Sequence, residues 1–177
     1  MKVFLTGFMG TGKTAVGARL AEKMGMEFVD LDLQVEQSAG LSVAEIFAEQ
    51  GEAEFRRQEQ ASLREVCDRT EELIIATGGG VVLEAANREL MGRQGITIWL
   101  DTPLTVIRQR LGHEAGKLRP LYSSTSAIEA VFESRRSDYS KADRHVRVGE
   151  HENQDQVAER VAEILASEGF TKTPGER

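Results

Sequence analysis

The stretch GFMGTGKT at residues 7–14 constrains this chain more than any other. It fits Gly-x-x-x-x-Gly-Lys-Ser/Thr through Gly7, Gly12, Lys13 and Thr14. Glycines let the backbone wrap a polyphosphate so that successive N–H groups point inward as a nest. A helix starting at the lysine adds the positive end of its dipole. Lys13 would neutralise the β- and γ-phosphates, and the Thr14 hydroxyl would hold Mg²⁺. The bland alternative is a glycine-rich turn before an ordinary helix. The flanks argue against it. Residues 2–6 (KVFLT) are a short apolar, β-leaning run, and residues 14–24 (TAVGARLAEKM) lean to helix with Val16, Leu20 and Met24 on one face. Strand, glycine loop and helix in this order predict a nucleoside triphosphate site, with Met9, Gly10 and Thr11 completing the cradle.

At 177 residues the chain suits one domain, expected over 1–170, with 171–177 (TKTPGER) as a frayed tail. Its 40% hydrophobic and 29% charged residues are those of an ordinary soluble globular protein. A net charge of −7 without a basic tract argues against nucleic acid or a membrane surface as main partner. The single cysteine, Cys67, cannot make an internal disulfide, which suits a reducing cytosol. Met1 and Lys2 lead directly into the first strand, without a signal peptide or an apolar run long enough to span a membrane. A cytoplasmic location is therefore expected.

Beyond the first helix, residues 27–29 begin a second strand that runs into Asp30-Leu31-Asp32. If the strand continues, period two puts both carboxylates on one side, one to serve Mg²⁺ through water and one to bond a substrate hydroxyl. A strand end with a helix cap is the alternative. SVAE at 42–45 is a capping box and predicts a short helix over 43–49. Residues 51–70 favour helix, with Phe55, Leu63 and Val66 on the apolar face. By residue type alone, Arg56 reads as a surface arginine. A buried strand over 73–77 (LIIAT) ends in Gly78-Gly79-Gly80, which calls for close approach of backbone to a ligand at the carboxyl end of the sheet.

A helix over 84–92 and a strand over 96–100, with Trp99 in the core, come next. The helix over 104–111 is expected to open with Thr102 as N-cap and Pro103 at its first position. Residues 112–126 break the helical pattern and carry Lys117 and Arg119, which reads as a cationic lid loop. A helix over 127–139 bears Arg135 and Arg136. A strand over 145–148 and an amphipathic helix over 156–168 close the chain. This alternation predicts an α/β fold with a five-stranded parallel sheet and helices on both faces.

Six segments in this order resemble the shikimate kinase family over essentially the whole chain. They are GFMGTGKTAVG (7–17), FVDLD (28–32), GEAEFR (51–56), TGGG (77–80), RPL (119–121) and R-x-x-x-Y (135–139). The resemblance implies a three-layer P-loop kinase fold of the nucleoside-monophosphate-kinase type, with a lid. It implies transfer of the ATP γ-phosphate, with Mg²⁺, to the 3-hydroxyl of shikimate. By position, Lys13, Asp32 and Arg119 would be catalytic, and Asp30 would assist Mg²⁺ through water beside Thr14. Asp32 would also bond shikimate hydroxyls, Arg56 and Arg135 (or Arg136) would clamp the carboxylate, and Gly78, Gly79 and Gly80 would line the pocket. Arg110 would flank the adenine, while HENQDQ (151–156) receives no role. The partners would be ATP and shikimate, and the enzyme a monomer. A gluconate-type small-metabolite kinase and an inactive nucleotide-binding regulator are the competing readings.

Overall fold

The computed structural model describes residues 1–111 and 125–170. Most of the expected lid, with Lys117 and Arg119, and the expected tail lie outside the described residues. Five strands form one parallel sheet: β1 (Lys2–Thr6), β2 (Glu27–Asp30), β3 (Leu73–Ala76), β4 (Gly95–Asp101) and β5 (Arg144–Arg147). Their order is β2-β3-β1-β4-β5. In the centre, Val3 sits between Ile74 and Ile96, and Leu5 between Ala76 and Ile98. The inner strands are almost wholly apolar because helices cover both faces.

The helices are α1 (Lys13–Met24), α2 (Leu31–Ala39), α3 (Val43–Glu49), α4 (Gly51–Asp68), α5 (Ala85–Gln94), α6 (Leu104–Leu111), α7 (Thr125–Tyr139) and α8 (Gln154–Ser167). A 3₁₀ turn, Val81–Leu83, follows the three glycines. On one face, Phe4, Ile75 and Trp99 pack with Leu63, Met91, Phe132 and Tyr139. On the other, Val3, Leu5 and Ile98 pack with Val16, Leu20, Val157 and Val161. Alternate residues of β1, β3 and β4 thus feed two cores, as period two requires. A third, smaller core joins Val35, Val43, Ile46 and Phe55 into a helical lobe at the β2 side. Among the described residues, no helix is long and apolar enough to cross a membrane.

Three local points are settled. Of the two readings of Asp30-Leu31-Asp32, the strand end with a helix cap is the one observed: Asp30 caps α2, and its Oδ1 accepts the N–H groups of Asp32 and Leu33. The two carboxylates therefore leave from a strand end and a first helical turn, not from one strand face. Thr102 does not cap α6. The Pro103 carbonyl accepts the Ile107 N–H, which makes Pro103 the capping residue, and the Thr102 hydroxyl donates to Thr11 O instead. Finally, α7 starts at Thr125 and α8 at Gln154, each two residues before its expected start. Asn153 and Gln156 build the capping box that sets the α8 start.

Candidate active site

The order of the strands puts the carboxyl ends of β1, β2 and β3 side by side, and the site is built on them. At β1, the chain turns through Gly7, Gly10 and Gly12, with φ of 138°, 75° and 96°. A Cβ at Gly7 would also stand 3.0 Å from Leu100 O. Lys13 follows as the first residue of α1, and its Nζ donates to the carbonyls of Gly7 and Phe8, both at 2.8 Å. Two of the groups that hold the ammonium are thus neutral carbonyls of its own loop, which phosphate oxygens can replace at little electrostatic cost.

Thr14 Oγ1 donates to Asp30 Oδ2 at 2.6 Å. A hydroxyl has one proton and two lone pairs, so giving the proton to Asp30 leaves Oγ1 an acceptor towards the cleft. Hydroxyl and carboxylate oxygens are the hard ligands Mg²⁺ prefers, and Mg²⁺ needs only one or two from protein beside phosphate and water. Thr14 and Asp30 fit that ion.

Beside the loop lies a cavity of about 240 Å³ lined by Thr11, Gly12, Ala15, Arg110, Asn153 and Gln154, among others. Arg110 Nη1 donates to Thr11 O at 3.1 Å and Gly10 O at 3.3 Å, so it lies against the phosphate loop. Asn153 and Gln154 were not expected here. The N-x-x-Q spacing marks a helix start, and only the packing of α8 against α1 brings that start to the loop.

A second cleft, of about 460 Å³, is lined by Met9, Thr14, Asp30, Asp32, Glu36 and Ser42, among others. Gly78, Gly79 and Gly80 join it to the rest of the site, each against a different neighbour. A Cβ on Gly78 would fall 2.3 Å from Glu59 Oε1 and 2.7 Å from Asp32 Oδ1. On Gly79 it would meet the phosphate loop, 3.4 Å from Met9 N, and on Gly80 it would strike the Arg56 guanidinium at 2.2 Å. One glycine loop therefore touches the nucleotide cradle, the Asp32 carboxylate and Arg56.

Arg56 is not a surface arginine, for its side chain is only 17% exposed. It pairs with Glu59 at 2.7 Å and Glu52 at 3.2 Å, and its Cζ lies 5.2 Å from the Phe55 ring centre. Burial works against its charge, yet the Glu59 and Glu52 carboxylates outweigh that and hold its pKa above the ordinary guanidinium value. Glu59 itself is 1% exposed and was missed. Its signal was present as an Arg-x-x-Glu pair at helical spacing. Of the two candidate arginines on α7, Arg135 is turned inward at 6% exposure, whereas Arg136 is half exposed over the Trp99 ring and 3.9 Å from Asp101. Tyr139, the last residue of that motif, donates its hydroxyl to Gly79 O.

A phosphate-loop turn at the central strand, a carboxylate at the end of β2 and an arginine held against the glycine loop after β3 form the arrangement of a P-loop kinase acting on a small molecule. The family model described as "Shikimate kinase" matches residues 9–166. A shikimate kinase of Synechococcus elongatus is 38% identical over 170 residues, covering 94% of this chain and 87% of that protein. The chain belongs to the shikimate kinase family, and it is an enzyme that phosphorylates an alcohol group. Among solved structures, shikimate kinase from Acinetobacter baumannii in complex with shikimate matches with a TM-score of 0.89 and 32% identity. That match covers 96% of this chain and 95% of the other. A gluconokinase from Sinorhizobium meliloti, at 17% identity and a TM-score of 0.57, shares the fold alone.

Proposed function

We propose that this enzyme transfers the γ-phosphoryl group of ATP to the 3-hydroxyl of shikimate, giving shikimate 3-phosphate and ADP. The observation that carries this reading is the convergence of Arg56, Glu59, Asp32 and three glycines beside the phosphate loop. It favours an acceptor with a carboxylate for Arg56 and a hydroxyl for Asp32.

Phosphoryl transfer passes through a loose transition state whose charge lies on the γ-phosphoryl oxygens, so alignment and cationic stabilisation matter more than a strong base. Lys13 exchanges the Gly7 and Phe8 carbonyls for β- and γ-phosphate oxygens. Thr14 directly, and Asp30 through water, would hold Mg²⁺, which when bound neutralises phosphate charge. Asp32 orients the attacking hydroxyl from beside Gly78. Arg56 and Arg135 hold the carboxylate by charge-assisted hydrogen bonds. Arg119 is assigned to the transferring phosphate, delivered by a lid that also excludes water. Arg110, Asn153 and Gln154 border the adenine.

The test is ADP release from ATP–Mg²⁺ with a panel of shikimate, gluconate and nucleoside monophosphates. Release that depends on shikimate is expected. Release with gluconate alone would reassign the acceptor, and silence with every compound would make the protein a nucleotide-binding regulator.

A further inference from the structure

The helix that supplies Arg135 also holds the glycine loop from behind. Tyr139 follows Arg135 by four residues, about one turn, so both leave the same face of α7. Its ring is fully buried and stacked on Trp99, with centroids 6.1 Å apart and planes 23° from parallel. Its hydroxyl donates to Gly79 O. No peptide of the described chain is cis, so the Gly79–Gly80 unit is trans and planar, and its C=O and N–H point in opposite directions. Fixing the carbonyl on the buried phenol therefore turns the Gly80 N–H to the other side. The turn that follows uses other groups: Val81 N–H donates to Gly78 O, and Leu83 N–H to Gly80 O. No hydrogen bond within the described residues takes the Gly80 N–H.

We propose that Tyr139 is a positioning residue which, by holding Gly79 O, aims the Gly80 N–H at the substrate carboxylate between Arg56 and Arg135. This rests on reading the cleft as the site of a hydroxylated carboxylate. A peptide flanked by two glycines has the widest choice of orientations that a chain allows. Rotated by half a turn, the same peptide would present a carbonyl oxygen where a donor is needed. An N–H towards a carboxylate is a charge-assisted attraction, whereas a carbonyl oxygen there repels it. The phenol selects between the two. Glycine at position 80 fits the same design, since a side chain there would displace the Arg56 guanidinium.

Tyr139→Phe tests this, because it keeps the ring and its packing on Trp99 and removes only the hydroxyl. The KM for shikimate should rise about ten-fold, with the KM for ATP unchanged. With the carboxamide analogue of shikimate, the variant and wild type should differ by less than about two-fold, since the charged acceptor is gone. In amide NMR spectra, the Gly80 proton should shift on shikimate binding in wild type and not in the variant. ADP-induced shifts of the phosphate loop should persist in both, showing an intact fold. An unchanged shikimate KM, an equal rise in both KM values, or a surviving Gly80 shift overturns the assignment. A wild-type enzyme without shikimate turnover would bring down the activity reading, and this one with it. Wild-type turnover with an indifferent Tyr139→Phe brings down this one alone.

Discussion

The phosphate loop and the glycine loop after β3 each have a cation largely withdrawn from solvent, Lys13 and Arg56, and these are held differently. Lys13 rests on two carbonyls of its own loop, Gly7 and Phe8, within a run of eight residues. Arg56 rests on carboxylates, Glu59 and Glu52, and lies against the glycine loop after β3. A phosphate can displace a neutral carbonyl from an ammonium with a net electrostatic gain. A substrate carboxylate cannot displace Glu59 so easily, because both carry the same charge and Glu59 is buried. On the proposed reading it would share the guanidinium, which offers five N–H donors. The nucleotide side is thus built for exchange of partners, and the acceptor side for a fixed cation with directions to spare. Recognition of a small carboxylate needs the second arrangement, since its position decides where the hydroxyl lies.

The sharpest break in that comparison is Lys13→Ala, which removes the exchangeable cation. Transfer should fall below detection, with far-UV circular dichroism unchanged. Turnover at wild-type level in a folded preparation would place the phosphate chemistry elsewhere. Arg119→Ala comes next: a cation delivered to the γ-phosphate is worth about 10³–10⁵ in rate, and kcat should drop by at least about two orders of magnitude. Arg119→Lys should recover part of this, because an ammonium lacks the planar fork. A kcat within tenfold of wild type for the alanine variant would transfer the role to Lys117 or Arg110.

Arg56→Ala probes the other side. Losing one partner of a buried charge pair costs about 2–5 kcal/mol, or roughly thirty-fold to several-thousand-fold in kcat/KM for shikimate. Calorimetric ATP affinity should stay as it was. Equal damage to both substrates would mean that the two sides are not separable. The smallest effect belongs to Asn153→Ala, which removes a side-chain cap from α8 at the edge of the nucleotide cavity. About 1 kcal/mol of stability should be lost, lowering Tm by about 2–4 °C. The KM for ATP should rise a few-fold and that for shikimate should not move. A variant with unchanged Tm would show that the capping box adds nothing to α8.

How far the site could be read ahead differs residue by residue. The glycines of the phosphate loop, Lys13 and Thr14 were plain, because the spacing itself encodes a backbone path and a helix start. Gly78–Gly80 were readable as a close approach, though not what they approach. Asp30 and Asp32 were legible as a pair, with a continuing strand and a helix cap left open, since an aspartate that caps a helix and one within a strand look alike in sequence; the cap is what is found. Arg56 by itself read wrongly. An arginine early in a helix says which residues are its neighbours along the chain, not whether that helix face is turned inward. The family motifs corrected that reading.

The sequence by itself determined the parallel α/β sheet, the element order, the phosphate loop and the family. All of these depend on contiguous residues, where hydrophobic period, glycine freedom and capping act over one or two turns. Only the tertiary structure decided that Glu59 is buried against Arg56, that Arg135 and not Arg136 turns inward, and that Asn153 reaches the nucleotide cavity. It alone placed the Tyr139 hydroxyl on the glycine loop. The physical reason is the crossover of a parallel sheet, which sets the ends of β1, β2 and β3 side by side whatever their separation along the chain. Which side chains are then buried is settled by how α4 and α7 pack on that sheet; a local spacing such as Arg-x-x-Glu gives the pair but not its burial.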